Sequence, residues 1–346
     1  MRVSDFDFDL PHELIAQEAA PRGTSRLLVL ARDAGAVQHR QVADLPALLG
    51  PGDLLVVNDT RVFPARLLGH RTPSGGAVEC MLIERRGEGL WEALMHPGQK
   101  LKPGARAVFG TAPHALQAEV IERRFFGRRI IRLWSDTGGD VDALIDALGH
   151  VPLPPYIKRE DRPDDRERYQ TVYARARGSV AAPTAGLHFT DDLLRALDAR
   201  GVERTAITLH VGYGTFQPVR VDDVEQHRVE PEHYTIPEDA AAAIERARAT
   251  RRRIVAVGTT TTRALEHAAA GGGPVRGGAG LADLFIYPGF TFRVVNALIT
   301  NFHLPRSSLL MLVSAFAGRE RVLDAYRMAV AERYRFYSYG DAMLIV

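Results

Sequence analysis

Between residues 61 and 150 the sequence changes texture, and this change constrains the fold more than any other feature of the chain. Short apolar runs recur there at 77–84, 90–95, 105–109, 116–122 and 129–134, broken by Gly75-Gly76, Pro97-Gly98 and Pro103-Gly104. Brief apolar runs with tight turns between them make several short strands, so the block predicts a small all-β sandwich or barrel. The flanks read differently. Arg26–Leu30 reads as a strand, and so does Asp53–Val57, whose consecutive apolar residues from Leu54 mark burial on both faces within an α/β layer. A short helix is expected near 12–17. After the block, helices are expected at 191–200, 238–252, 259–268, 306–317 and 320–334, and strands at 205–211, 253–257, 283–287 and 341–345. The proline-rich, charged stretch 151–180 reads as a connector or functional loop. A first segment that ends on a buried strand and a last segment of α/β type make the β-rich block an insertion. The expected fold is therefore α/β: a larger discontinuous domain, 1–66 and 149–346, and a smaller barrel-like all-β domain, 67–148. At roughly 100–200 residues per domain, a chain of 346 residues suits two.

Composition narrows the function classes. A chain 46% hydrophobic and 25% charged is an ordinary globular protein. It has no run of 18 apolar residues to cross a membrane, and its acidic start lacks a signal core, so the cytoplasm is expected. The single cysteine, Cys80, excludes an intrachain disulfide and reads as a small buried hydrophobe on a strand face. The net charge of +2 demands no polyanionic partner. Only three of the 44 basic residues are lysines, which a GC-rich coding sequence explains, yet guanidinium groups suit phosphates and bases. The run Arg123, Arg124, Arg128, Arg129 and Arg132 around Gly127 is either a solvated hairpin or an RNA-backbone contact.

Chemistry-bearing residues fall into dense clusters. Asn58-Asp59-Thr60-Arg61, with Arg66 close behind, follows a strand, where α/β proteins gather ligand-binding groups; the structural alternative is an Asx turn. Thr184, Gly186 and His188 precede Thr190, which looks like a helix N-cap. His210, Gly212 and Gly214 follow another strand. Gly258 and Thr259 to Arg263 open a helix after a strand, where free amides attract an anion. Asn301 and His303 lie at a strand-to-helix junction, with Pro305 suited to the first helical turn. The tail Tyr334 to Asp341 interleaves aromatics with charge and reads equally as a base-stacking surface or a packed strand. There is no Rossmann glycine fingerprint, no P-loop lysine, no zinc spacing and no serine nucleophile elbow, and no metal is expected.

Several long phrases resemble the queuosine tRNA-ribosyltransferase-isomerase family. They are Asn58 to Arg66, Gly149 to Ile157, Glu167 to Ala174, Ala181 to Thr190, Leu209 to Phe216, Leu298 to Pro305 and Tyr334 to Leu344. The chain departs from the family pattern at Glu230, where a histidine is usual, and at Ala282, where a threonine is usual; His227 and Glu232 remain candidates. The resemblance implies that the ribosyl part of S-adenosylmethionine is moved onto 7-aminomethyl-7-deazaguanine (preQ1) at the tRNA wobble position and rearranged. Epoxyqueuosine forms, and adenine and methionine leave. S-adenosylmethionine is then a consumed cosubstrate, with no resident cofactor, and a monomer is expected. Such chemistry needs an acid and a base, and His188, His210, His303, Asp59 and Glu232 are the candidates. Arg61, Arg66 and Arg263 would hold the methionine carboxylate or tRNA phosphates, and Asn58, Thr184, Gly186, Gly212, Gly214, Thr259, Thr260 and Asn301 would bind substrate. Two other readings compete: a base-exchange glycosylase that does not use S-adenosylmethionine, and a non-catalytic RNA-binding protein. The density of His, Asp and Asn in glycine-rich loops exceeds what phosphate binding requires.

Overall fold

The computed structural model describes residues 1–33 and 36–346. Among these, nine strands form one mixed sheet in the spatial order Gly278–Ala282, Glu232–Ile236, Glu203–Leu209, Leu54–Asn58, Ile254–Val257, Ala297–Asn301, Ala342–Ile345, Arg26–Leu30 and Gln38–Gln41. The third to sixth of these are mutually parallel. Their consecutive apolar residues divide between two cores. Leu54, Val56, Ile254, Ala256 and Leu298 pack on one face, and Leu55, Val57, Val255, Val257 and Ile299 on the other. Helices Glu238–Ala249, Thr259–Ala268, Ser308–Ala317 and Arg319–Ala331 add side chains to the first core, and Asp191–Ala199 to the second. Burial on both faces is why these strands show no alternation in sequence.

The inserted block is a closed antiparallel barrel of Arg66–Thr72, Ala77–Gly87, Leu90–His96, Arg106–Phe109, Leu116–Arg123 and Arg128–Trp134. Closure leaves it no open edge. Helix Val141–Leu148, capped by the Asp140 side chain, inserts Leu144 and Ile145 into the barrel core. Cys80 is fully buried there, and burial pushes its thiol pKa up. The chain enters and leaves the barrel side by side, because Arg66 and His150 exchange backbone hydrogen bonds at 2.8 and 3.3 Å.

Several expectations need correction. The stretch 283–287 is not a strand; Leu284, Phe285 and Ile286 pack a loop onto the core, and the edge strand is the preceding Gly278–Ala282. The segment 12–17 is only a single 3-10 turn, His12–Leu14. Pro305 stands before the helix, which is capped by Ser307 Oγ accepting from the Leu310 amide. Among the described residues, no helix is long and apolar enough to cross a membrane.

Candidate active site at the carboxyl ends of the strands

The four parallel central strands end on one side of the sheet, and each is followed at once by a cluster singled out in sequence: Asn58-Asp59, His210 to Gly214, Gly258 to Arg263, and Asn301 to His303. Carboxyl ends of adjacent parallel strands form the crevice where open α/β sheets bind ligands. The remaining cluster, the 3-10 turn Thr184–His188, packs beside Asn301.

Three clefts join across this side. The first, about 560 Å³, is lined among others by Tyr156, Thr184, Thr259, Asn301, His303 and Tyr337. The second, about 730 Å³, is lined by Gly212, Gly214, His227, Glu230, Glu232 and Arg263. The third, about 1820 Å³, lies between barrel and sheet and includes Trp91, Arg128, Arg177, His210, Glu232 and His233. Thr215 and Leu309 border the first two, and Gly212, Glu230 and Glu232 border the last two, so the clefts adjoin along one groove with shared walls.

Hydrogen bonding separates groups committed to the fold from groups available to a ligand. Asn58 is committed: its Nδ2 donates to the Leu209 carbonyl at 2.9 Å, and its Oδ1 accepts from the amides of Thr60 and Leu209. This is the Asx-turn reading. Asp59 is buried, accepts from Thr208 at 2.6 Å and from Arg175 at 2.7 Å, and borders none of the three clefts. Arg66 is paired with Glu79 on the barrel. Arg61 is exposed and has no partner among the described residues.

His188 lies behind the first cleft, in a smaller cavity. The Asn301 Nδ2 donates to the Tyr337 carbonyl and to His188 Nε2, each at 3.1 Å. His188 therefore carries its proton on Nδ1, which donates to Ser25 Oγ at 3.0 Å. Burial lowers its pKa to about 4, with a smaller push from Arg335, so the ring is neutral and orients Asn301. His303 borders the first cleft itself. The Thr300 hydroxyl donates to the Asn301 carbonyl at 3.3 Å and so accepts from His303 Nε2 at 2.8 Å. His303 Nδ1 is left with a lone pair and no partner among the described residues, and burial lowers the ring's pKa to about 3. In the same cleft, Thr260 Oγ1 is buried without a hydrogen bond.

Glu232 stands where the second and third clefts meet. Its Oε1 accepts from the Gly212 amide at 3.0 Å, and its Oε2 accepts from Arg263. Arg263 also donates to the carbonyls of Ala282 and Leu284, so its charge is already engaged. Burial raises the Glu232 pKa against the opposing pull of Arg263. His210 faces the third cleft with Nδ1 2.8 Å from Thr60 Oγ1; burial first, then His233, lowers its pKa, which Asp59 partly restores. The five acid–base candidates thus divide: His210 and Glu232 share one cleft, His303 lines a neighbouring one, His188 lies behind Asn301, and Asp59 lies beneath Arg175. Among the described residues, no group of three or more His, Cys, Asp or Glu is placed to hold a metal ion.

A family model described as "Queuosine biosynthesis protein" matches residues 3–345. The chain belongs to that family. Relatives named S-adenosylmethionine:tRNA ribosyltransferase-isomerase share 53% identity in Moorella thermoacetica and 54% in Symbiobacterium thermophilum, each alignment covering all of both chains. One from an Anaeromyxobacter species is 56% identical over all of this chain and 99% of its own. The crystal structure of the S-adenosylmethionine tRNA ribosyltransferase of Thermotoga maritima is 40% identical, with a TM-score of 0.56, over 99% of this chain and all of that one.

Of the two departures, Glu230 has a local partner, Arg128 of the barrel; the structure gives no reason for the alanine side chain at 282, whose backbone carbonyl accepts from Arg263 as that of any residue would. Residue reasoning passed over the wall of the first cleft formed by Tyr156, Phe216 and Tyr337. These residues fall in three phrases, Gly149 to Ile157, Leu209 to Phe216 and Tyr334 to Leu344, of which the first overlaps a stretch that reads as a connector or functional loop and the last reads equally as a base-stacking surface or a packed strand. The two tyrosine rings meet edge to face at 3.9 Å. Gly186 is required by crowding, since a β-carbon there would lie 2.2 Å from the Tyr173 hydroxyl.

Proposed function

We propose that this chain is an S-adenosylmethionine:tRNA ribosyltransferase-isomerase. It moves the ribosyl part of S-adenosylmethionine onto the aminomethyl group of preQ1 at the tRNA wobble position and isomerises it to epoxyqueuosine, releasing adenine and methionine. Full-length identity above 50% to relatives carrying that name supports this reading most strongly. The groove fits two substrates of unequal size. The first cleft, with the Thr259 helix start, the unpartnered Thr260 hydroxyl and the His303 lone pair, suits the small cosubstrate. The wide third cleft suits a wobble base turned out of the anticodon stack. Glu232 stands where the second cleft, which adjoins the first, meets the third, and its raised pKa suits a group that takes the acidic proton next to the sulfonium of a cosubstrate reaching across from the first cleft and returns it during departure of adenine. His303, neutral through the physiological range, accepts a hydrogen bond from the cosubstrate. On this reading the enzyme acts in the cytoplasm as a monomer.

The test is to incubate the protein with S-adenosylmethionine and preQ1-bearing tRNA and to assay adenine, methionine and the modified nucleoside by mass spectrometry. Equal release of adenine and methionine with epoxyqueuosine supports the proposal. Base exchange without adenine release would favour the glycosylase, and RNA binding without turnover the non-catalytic protein. His303→Ala should raise the KM for S-adenosylmethionine about tenfold, the value of one lost hydrogen bond, with a smaller change in kcat. Unchanged KM in the folded variant would remove His303 from cosubstrate binding.

A further inference from the structure

The barrel hairpin that joins strands Leu116–Arg123 and Arg128–Trp134 is firmly mounted and bare at its tip. At its base, Arg128 is clasped between Glu92 of the barrel and Glu230 of the larger domain. The buried Arg129 guanidinium donates to the carbonyls of Gly98, Leu101 and Gly127. At the tip, Phe125 and Phe126 are 87% and 88% exposed. Phe126 has φ 56° and Gly127 φ 82°. A turn with two left-handed residues is normally built from Asn-Gly, because a bulky side chain there carries a backbone penalty. An aromatic at that position serves neither the turn nor a core, so its use lies outside the chain.

The surroundings select the partner. Arg123 and Arg132 have no carboxylate partner among the described residues, and Arg124 meets only the exposed Glu122 at 3.3 Å. Arg128 lines the third cleft together with His210 and Glu232. Phe125 is three residues away, within roughly 10 Å of chain reach. Rings flanked by unpaired guanidinium groups, on a hairpin whose base residue Arg128 lines such a cleft, match single-stranded RNA, whose bases offer free faces for stacking and whose phosphates take arginine forks.

We propose that residues 123–132 form an RNA-binding finger, in which Phe125 and Phe126 stack on unpaired bases of the tRNA loop while Arg123, Arg124 and Arg132 hold neighbouring phosphates. The inference rests on the reading of tRNA as substrate. The test pairs a Phe125→Ala/Phe126→Asn variant with an Arg123→Ala/Arg124→Ala variant. Binding of an unmodified tRNA is measured apart from turnover of the preQ1-bearing form.

The phenylalanine variant should weaken tRNA binding and raise its KM about ten- to hundredfold, one to two lost base stacks. The KM for S-adenosylmethionine and kcat at saturating tRNA should stay unchanged. Its melting temperature should equal or exceed that of the parent, since Asn suits the turn. The arginine variant should reduce the slope of log affinity against log salt by about one per lost phosphate contact. Parental tRNA affinity and KM in the phenylalanine variant would overturn the finger. So would a change only in oligomeric state, which would give the two rings to a second copy of the chain. A parent that binds tRNA through these rings but releases no adenine would overturn the enzymatic reading and leave the finger standing.

Discussion

Glu232→Ala should cost about 3 kcal/mol of folding stability or more, the low end for breaking a buried ion pair from one side, and should lower turnover roughly 10²-fold or more. The stability loss follows from the partner left behind. Arg263 has a side chain only 11% exposed, and its charge persists at every accessible pH. Without the carboxylate it keeps only the carbonyls of Ala282 and Leu284. The reverse change should be milder. In Arg263→Ala the remaining Glu232 escapes by protonation, toward which burial already pushes it, so the loss should be smaller at pH 5 than at pH 7. Glu232→Gln separates fold from chemistry, because an amide oxygen still accepts from Gly212 or Arg263 but cannot take a proton. Urea denaturation of the three variants at both pH values, beside steady-state kinetics, distinguishes these effects. Parental turnover in Glu232→Gln would remove Glu232 from proton transfer. Equal losses in the two alanine variants at both pH values would show that protonation gives no escape.

The convergence of the clusters was legible because each directly follows an apolar run, and parallel strands place their carboxyl ends together. The division of labour inside the clusters was not. Asn58 and Asn301 are the same residue type at the carboxyl ends of two parallel strands that flank Ile254–Val257. One is spent on Leu209 and Thr60, while the other lines a cleft. What separates them are partners more than 100 residues away, Leu209 for the first and His188 for the second. The arginines differ likewise: Arg263 is engaged by Glu232, by the edge-strand carbonyl of Ala282 and by the loop carbonyl of Leu284, whereas Arg61 has no partner among the described residues. Spacing along a chain does not encode such pairings.

The barrel shows the same boundary. Its apolar runs announced five strands, but Arg66–Thr72 went unread, because Gly69, His70 and Arg71 dilute its pattern and Leu68 is 40% exposed. That segment is a strand because it pairs with both Ala77–Gly87 and Arg106–Phe109 to close the barrel. Gly278–Ala282 is likewise made a strand by Glu232–Ile236, against the weak propensity of its glycines. The apolar Leu284 to Ile286, read as a strand, cover the core instead. Hydrophobicity revealed which segments are buried, and partners decided their backbone.

Lowering the pH from 7 to 5 should remove about 4 kcal/mol of stability through His188 and His303 alone, at about 1.36 kcal/mol per pH unit for each ring. Both rings are buried and neutral, with pKa values of about 4 and about 3 in the folded chain, against about 6.5 when unfolded. Below pH 6.5 the unfolded chain takes up protons that the folded chain refuses. The stability from these rings is therefore complete above pH 6.5 and falls with pH down to each folded value. Between pH 6.5 and 5 each ring accounts for about 2 kcal/mol. Glu232 acts in the opposite sense, since its raised pKa lets the folded chain take up a proton first. Glu92 and Asp165, held below the ordinary carboxylate range by their arginine partners despite burial, add losses only at lower pH. Urea midpoints at pH 7, 6 and 5 give the slope, and His188→Gln should reduce it by one proton. A His188→Gln/His303→Gln variant with the parental slope would mean that neither ring is held neutral. Turnover should fall before the global transition, because a proton on His188 Nε2 makes it a donor facing the Asn301 amide group. That contact then breaks, and the side chain that His188 orients in the first cleft is released while the sheet beneath it is still folded.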